Sequence, residues 1–148
     1  YIGGYAFSDC SGLTSITIPS GVTSIDRSTF SGCSGLTSIT IPDGVTYIGG
    51  YAFSDCSGLT SITIPSSVTS IESGVFENCT SITRIYIPSS VTTISVYSYS
   101  YSPFYGWNSS AVIYCEAASK PSGWGSYWNY YSSSGQLSVV WGASGLPA

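Results

Sequence analysis

YIGGYAFSDCSGLTSITIPSGVT, residues 1–23, returns at residues 47–69 as YIGGYAFSDCSGLTSITIPSSVT, changed at a single position. Between them, 24–46 reads SIDRSTFSGCSGLTSITIPDGVT, and 70–92 reads SIESGVFENCTSITRIYIPSSVT. The copies begin at 1, 24, 47 and 70, a period of 23 residues without slippage. A repeat of this length is one supersecondary unit that cannot bury its own apolar face, whereas stacked copies bury a continuous core. The expected architecture is therefore a mostly β solenoid with parallel strands about 4.8 Å apart, built from coils 1–23, 24–46, 47–69 and 70–92 and extending over 1–94.

The columns assign the core. Ile2, Ile25, Ile48, Ile71 and Ile94 form one; Phe7, Phe30, Phe53 and Phe76 a second; Cys10, Cys33, Cys56 and Cys79 a third. Leu13, Leu36, Leu59 and Ile82 follow, then paired isoleucines beginning at Ile16 and Ile18, a proline column from Pro19 and a valine column from Val22. Ser15-Ile16-Thr17-Ile18 alternates with period two, which predicts a strand with isoleucine inward and Ser/Thr outward. Pro19 ends it, having no N–H for a ladder. Val22–Ile25 predicts a second short extended piece, Ala6–Cys10 a tight helical turn, and glycine at 12, 35 and 58 a bend.

The spacing L-x-x-I-x-I-P-x-x-V-x-x-I-x-x-x-A-F-x-x-C resembles the BspA-like leucine-rich repeats over roughly residues 1–94. The later stretch AVIYCEAASKPSGWGSYWN…LSVVWG resembles the tail that closes many such bacterial proteins. The resemblance implies a right-handed solenoid, an extracellular or cell-surface location, and non-catalytic binding or adhesion toward a host or matrix protein or glycan. It implies no enzyme activity.

Two departures stand out. The fourth copy replaces the outward Ser/Thr pair with Arg84 and Tyr86. In the fifth, the A-F-x-x-C block is absent and Val96–Pro103 stands in its place. From about residue 95 the period fails and aromatic residues accumulate, so 95–148 is expected to be an aromatic-rich C-terminal β cap. Solenoid ends expose apolar side chains and an unpaired strand edge that must be covered. Ala111–Cys115 and Leu137–Trp141 read as strands of that cap.

Composition narrows the function. Charged residues make up 7 % of the chain and the net charge is −4; Arg27, Arg84 and Lys120 are the only basic side chains. Nucleic-acid binding needs a basic footprint that displaces counterions from phosphates, so nucleic acid and anionic membrane are set aside. No run approaches the about 20 apolar residues of a membrane span. With no histidine, the commonest general base is missing, and with it serine-hydrolase triads and most zinc sites. The cysteines sit in an inward column and read as buried thiols, not as disulfides or metal ligands; Cys115 has no base beside it. No cofactor or metal is expected. Asp9 and Asp55 could be paired for sugar hydrolysis, but turn and solvated roles suit them better. Asn78 and Asn108 stand in N-x-[ST] acceptor patterns, which matter only in a eukaryotic secretory pathway.

The binding candidates are the outward strand face, Ser15, Thr17, Ser38, Thr40, Ser61 and Thr63, ending at Arg84 and Tyr86, and the aromatics Tyr97, Tyr99, Tyr101, Trp124 and Trp128. Flat rings can stack on sugars, and the Tyr-Ser alternation at 97–101 would set three tyrosines on one face if extended. Thr is also favoured in strands for packing alone, and aromatics cap a solenoid end efficiently, so each candidate has a purely structural reading. The rivals to a binding module are a structural spacer, a carbohydrate-active enzyme and an ice-binding face. Tyr1 falls inside a repeat, which predicts an open first coil and self-association through it.

Overall fold

The computed structural model describes residues 1–148, wound as successive coils around one hydrophobic core. Two parallel sheets run along it. The first joins β1 (Ser24–Ile25), β2 (Tyr47–Ile48), β3 (Ser70–Ile71) and β5 (Thr93–Ile94), each pairing with the residue 23 positions on. The second joins β4 (Arg84–Ile87), β6 (Val112–Cys115) and β7 (Ser138–Trp141). The strands expected at Ala111–Cys115 and Leu137–Trp141 are therefore present, and they continue the stack. Outside these strands there is one 3-10 turn, Tyr99–Tyr101, and no α-helix.

The segment expected to carry the main ladder does not form one in the first three coils. Ser15–Ile18 and its copies keep the alternation: Ile18, Ile39, Ile41, Ile62 and Ile64 are buried, and Ser15, Thr17, Ser38, Thr40, Ser61 and Thr63 are exposed. Yet no strand pairing joins them, and Thr60 N–H to Thr37 O is the backbone bond between coils on this side. The proline column supplies a reason. In the second sheet Glu116 N–H donates to Ile87 O at 3.0 Å. The residues that stand in the place of Glu116 in the regular coils are Pro42, Pro65 and Pro88, which have no N–H. The proline that ends the segment also removes a ladder donor toward the coil before it.

The ladder instead runs through the short piece after the valine column, reinforced by threonine. Thr46, Thr69 and Thr92 each donate both the backbone N–H (2.9–3.0 Å) and the hydroxyl to the threonine carbonyl one coil earlier.

The A-F-x-x-C block is a run of tight turns, not the helical turn the sequence suggests. Its N–H groups alternate in direction. Ala6, Ser8 and Cys10 donate back to Gly3, Tyr5 and Phe7; Tyr5, Phe7 and Asp9 donate to Arg27, Thr29 and Ser31 of the next coil. Later coils repeat this, and it satisfies buried main-chain groups without a helix or strand. It also requires two left-handed residues per coil: Tyr5, Ser28, Tyr51 and Gly74 in one column, and Asp9, Gly32, Asp55, Asn78 and Gly106 in another, all with φ between 54° and 84°. Glycine, Asp and Asn tolerate this region best. The glycine at 35 and 58 serves close approach instead: a Cβ there would lie 2.5 Å from the carbonyl oxygen of Ser11 or Ser34.

Inside, the phenylalanines stack ring on ring, with centroids 5.5 Å apart for Phe7–Phe30 and Phe30–Phe53 and 5.9 Å for Phe53–Phe76. The column does not stop there. Phe104 stacks on Phe76 at 6.3 Å. Beside it the thiols of Cys33, Cys56 and Cys79 donate to the carbonyls of Phe7, Phe30 and Phe53 at 3.1–3.2 Å, and the indole N–H of Trp107 makes the corresponding bond to Phe76 O at 2.7 Å. The block read as absent from the fifth coil is present as Phe104-x-x-Trp107, displaced by five extra residues: Phe76 and Phe104 are 28 apart, not 23.

All five cysteines are free, and Cys33, Cys56, Cys79 and Cys115 are buried; Cys10, expected to be buried with its column, is instead exposed, having a column neighbour on one side only. Burial pushes the thiols of Cys56 and Cys115 up to about 12, and that of Cys79 well above its ordinary value. Since the thiolate is the nucleophile, alkylation of the native protein at pH 8 is expected to label Cys10 rapidly and these buried thiols only after denaturation. Rapid native labelling of Cys56 would show that the coils open.

Candidate functional site

The expected candidates separate into three places. The Ser/Thr face lies open along the side without a ladder. Between the first two coils it includes a cleft of 180 Å³ bordered by Ile16, Thr17, Ile18, Ser20, Thr40 and Pro42. Arg84 and Tyr86, at the far end of this face, are engaged by the chain itself. Arg84 Nη1 donates to Pro147 O at 2.7 Å and the Tyr86 hydroxyl to Ala143 O at 3.4 Å. The segment after β7 is brought there by Gly142 and Ala143 N–H bonds to Ala117 O and Cys115 O, both 2.9 Å.

Trp124 and Trp128 offer no stacking surface: they are 2 % and 4 % exposed. Their rings lie 4.7 Å apart, each within 6 Å of Trp141, and the Trp124 indole N–H donates to Val91 O. They pack into the core beyond the regular repeats, covering apolar side chains of the fourth coil and its successor.

Tyr97, Tyr99 and Tyr101 do not form an extended one-sided row. Tyr99–Tyr101 is the 3-10 turn, a consequence of the extra residues having to leave and rejoin the coil within a short span. Tyr97 and Tyr101 nevertheless converge on residues from other coils. With Arg27, Tyr51 and Ser73 they line a cleft of 310 Å³. A second cleft of 240 Å³, lined by Arg27, Tyr47, Gly50, Glu72, Ser73 and Tyr97, shares three of those residues, so the two adjoin.

Arg27 is the centre of this arrangement. Its Nε donates to the Tyr5 hydroxyl at 3.2 Å and its guanidinium lies 5.1 Å from the centre of the Tyr51 ring, a cation–π placement. The hydrogen bond from Arg27 lowers the Tyr5 phenol's pKa, aided by Ser28 and by the Arg27 charge. The Tyr51 phenol is raised, first by partial burial, then by Glu77 and Tyr101. Tyr51 holds a left-handed backbone (φ 59°) that a bulky residue rarely adopts. Its ring lies over Gly74, where any Cβ would collide with it. The nearby carboxylates are turned to hydroxyl groups: Asp26 accepts from Ser24 at 3.0 Å and Tyr1 at 2.8 Å, and Glu72 from Ser70 at 3.2 Å.

Arg27, Tyr47 and Tyr51 were not among the sequence candidates. Writing the sequence in rows of 23 would have shown Arg27 one column from Tyr5 above and Tyr51 below. The arrival of Tyr97 and Tyr101 beside them depends on the path of the inserted residues, which the period does not encode. No three Cys, Asp or Glu side chains converge where they could hold a metal ion, and no helix is long and apolar enough to cross a membrane.

Parallel coils, an internal phenylalanine column and a turn block at fixed spacing define a leucine-rich-repeat solenoid. The BspA type leucine rich repeat region model matches residues 1–105 in six copies, and the chain belongs to that family. A crystal structure of a leucine-rich repeat protein of T. pallidum is similar at TM-score 0.63 and 28 % identity, covering 75 % of this chain and 50 % of that one. A second, from Bacteroides ovatus, is similar at TM-score 0.50 and 31 % identity, covering 81 % of this chain and 38 % of that one. The chain thus spans half or less of the solved proteins it resembles. No curated protein matches. Repeat proteins of this fold commonly mediate binding through extended surfaces and are typically non-catalytic.

Proposed function

We propose that this chain is a non-catalytic recognition module of a secreted or cell-surface protein, and that it engages a host or matrix protein or glycan through the cleft around Arg27, Tyr51, Tyr97 and Tyr101. The observation that carries this is the exposed aromatic surface there: Tyr97 is 85 % and Tyr101 44 % exposed beside the guanidinium, although the core closes without them. Tyrosine and arginine are the side chains most often found to dominate binding energy.

A glycan and extracellular-matrix array tests it, using the wild-type chain, an Arg27→Ala/Tyr97→Ala variant and an Arg84→Ala/Tyr86→Ala variant. Binding is expected to fall by roughly tenfold or more in the first variant and to persist in the second. Loss in the second alone would move the site to the strand face.

The near-identity of the first and third coils favours a second reading, a spacer that displays another domain, because a recognition surface usually varies from coil to coil. Absence of binding across the array would favour the spacer.

A further inference from the structure

We infer that the cleft takes a carboxylate-bearing sugar, a single acidic residue on an otherwise neutral glycan, with the carboxylate on Arg27 and the sugar ring against Tyr97 and Tyr51. This rests on the cleft being the recognition site.

A guanidinium carries five N–H donors in a planar fork that matches a carboxylate bidentately. In this protein only Nε has a hydrogen-bond acceptor, the Tyr5 hydroxyl. Glu72, the one acidic residue lining the clefts, and Asp26, the chain neighbour of Arg27, accept from serine and tyrosine hydroxyls and make no ion pair with Arg27. The Nε bond to Tyr5 and the placement of the guanidinium 5.1 Å from the Tyr51 ring centre hold the side chain at the cleft, which reduces the side-chain freedom lost when an anion binds. Arg27 itself lines both of the adjoining clefts.

The same charges set an upper limit on the ligand. Arg27 is the one cation lining either cleft, Glu72 lines the second, and the chain carries −4 overall. A sulfated or phosphorylated polymer needs several cations along its track and would be repelled here. One carboxylate is the charge the site can compensate.

The shape of the walls selects a sugar over a peptide. Tyrosine gives a flat apolar face with a hydroxyl at its edge, matching a pyranose that has an apolar face and a polar rim. An extended peptide would bind by adding to an unpaired strand edge, and the cleft has none. Ser28 and Tyr51 N–H donate to Gly50 and Ser73 of the following coil, and Gly74 N–H to Tyr101 O. The larger cleft, of 310 Å³, is at the lower end of small-ligand sites and the smaller, of 240 Å³, is below it, which suits one or two sugar units.

The test is calorimetric titration of the full chain with a trisaccharide ending in glucuronic acid, its neutral glucose-ended counterpart and the methyl ester of the acid. Arg27→Gln, Arg27→Lys and Tyr97→Ala variants are run beside it; both positions are exposed, and the melting temperature of each variant checks its folding. The acid is expected to bind about 10- to 100-fold tighter than the ester or the neutral sugar, the range of one charge-assisted contact. Arg27→Gln should erase that preference, Arg27→Lys should restore only part of it, and Tyr97→Ala should weaken all three sugars. Equal binding of acid, ester and neutral sugar, still lost in Tyr97→Ala, would overturn the acidic specificity and leave the cleft as the site. Binding unaffected by all three variants would overturn the cleft itself. A short acidic peptide that binds tighter than the acidic sugar, with the same dependence on Arg27, would overturn the choice of sugar.

Discussion

Phe53→Ala is expected to lower the unfolding free energy by about 3–5 kcal/mol. Phe53 is fully buried, with Phe30 on one side and Phe76 on the other at 5.5 and 5.9 Å. Its removal leaves a void between the Phe30 and Phe76 rings, in a coil tied to the next by Phe53 N–H to Val75 O and the Cys79 thiol to Phe53 O, and to the one before by Phe30 N–H to Ala52 O. Those ties keep the coils from closing over the gap, so the cavity cost is added to the lost transfer energy. Phe7→Ala provides the internal comparison: Phe7 is half-buried and stacks on one neighbour only, so its loss should cost less. Denaturant unfolding followed by far-UV circular dichroism measures both. Equal costs at the two positions would mean that stacking on both faces adds nothing.

Trp128→Ala should cost a similar amount, about 3–5 kcal/mol, but act on a different part of the molecule. Trp128 is 4 % exposed and packs on Trp124 at 4.7 Å, Trp141 at 5.7 Å and Phe104 at 6.4 Å. It joins the last coil to the phenylalanine column. In a solenoid each coil contacts only its neighbours, so stability is a sum of local terms. Loss of Trp128 is therefore expected to release the C-terminal coils first. Tryptophan fluorescence, which reports only from this region because all four tryptophans lie at 107–141, should change at lower denaturant than the circular dichroism signal. Coincident transitions in the variant would show that the cap and the repeats unfold as one unit.

These two positions also show what the sequence made legible. Phe53 could be placed in the core from spacing alone, since a side chain that recurs at a constant period keeps its direction as well as its place. The same logic placed the isoleucines and the thiols of Cys33, Cys56 and Cys79 inside, but not Cys10, which is exposed in the first coil. Hydrogen bonding was harder to read. The alternation at 15–18 gave the side-chain directions, whereas the ladder depended on a donor in the following coil that proline lacks. Phe104 and Trp107 are hidden in the sequence because they stand 28 residues on, not 23, and carry an indole N–H where the repeats carry a thiol; the Phe-x-x-donor pattern is what the coils share. Trp128 was read both as a stacking surface and as part of the cap, and sequence alone could not separate the two. The cleft was the least legible feature, because Arg27 and Tyr51 meet across coils one column out of step.

The five residues that separate the fourth coil's phenylalanine spacing from the regular one emerge near Tyr97–Tyr101, while Phe104 and Trp107 resume the interior pattern as though nothing had intervened. Length has been added to the perimeter of a coil without disturbing the stack. Such a seam behaves like a cassette: segments of different length or sequence at 96–101 could be exchanged while the packing problem inside stays solved. A lineage of these proteins could thus rewrite what it recognises at one seam, and leave its repeats almost identical.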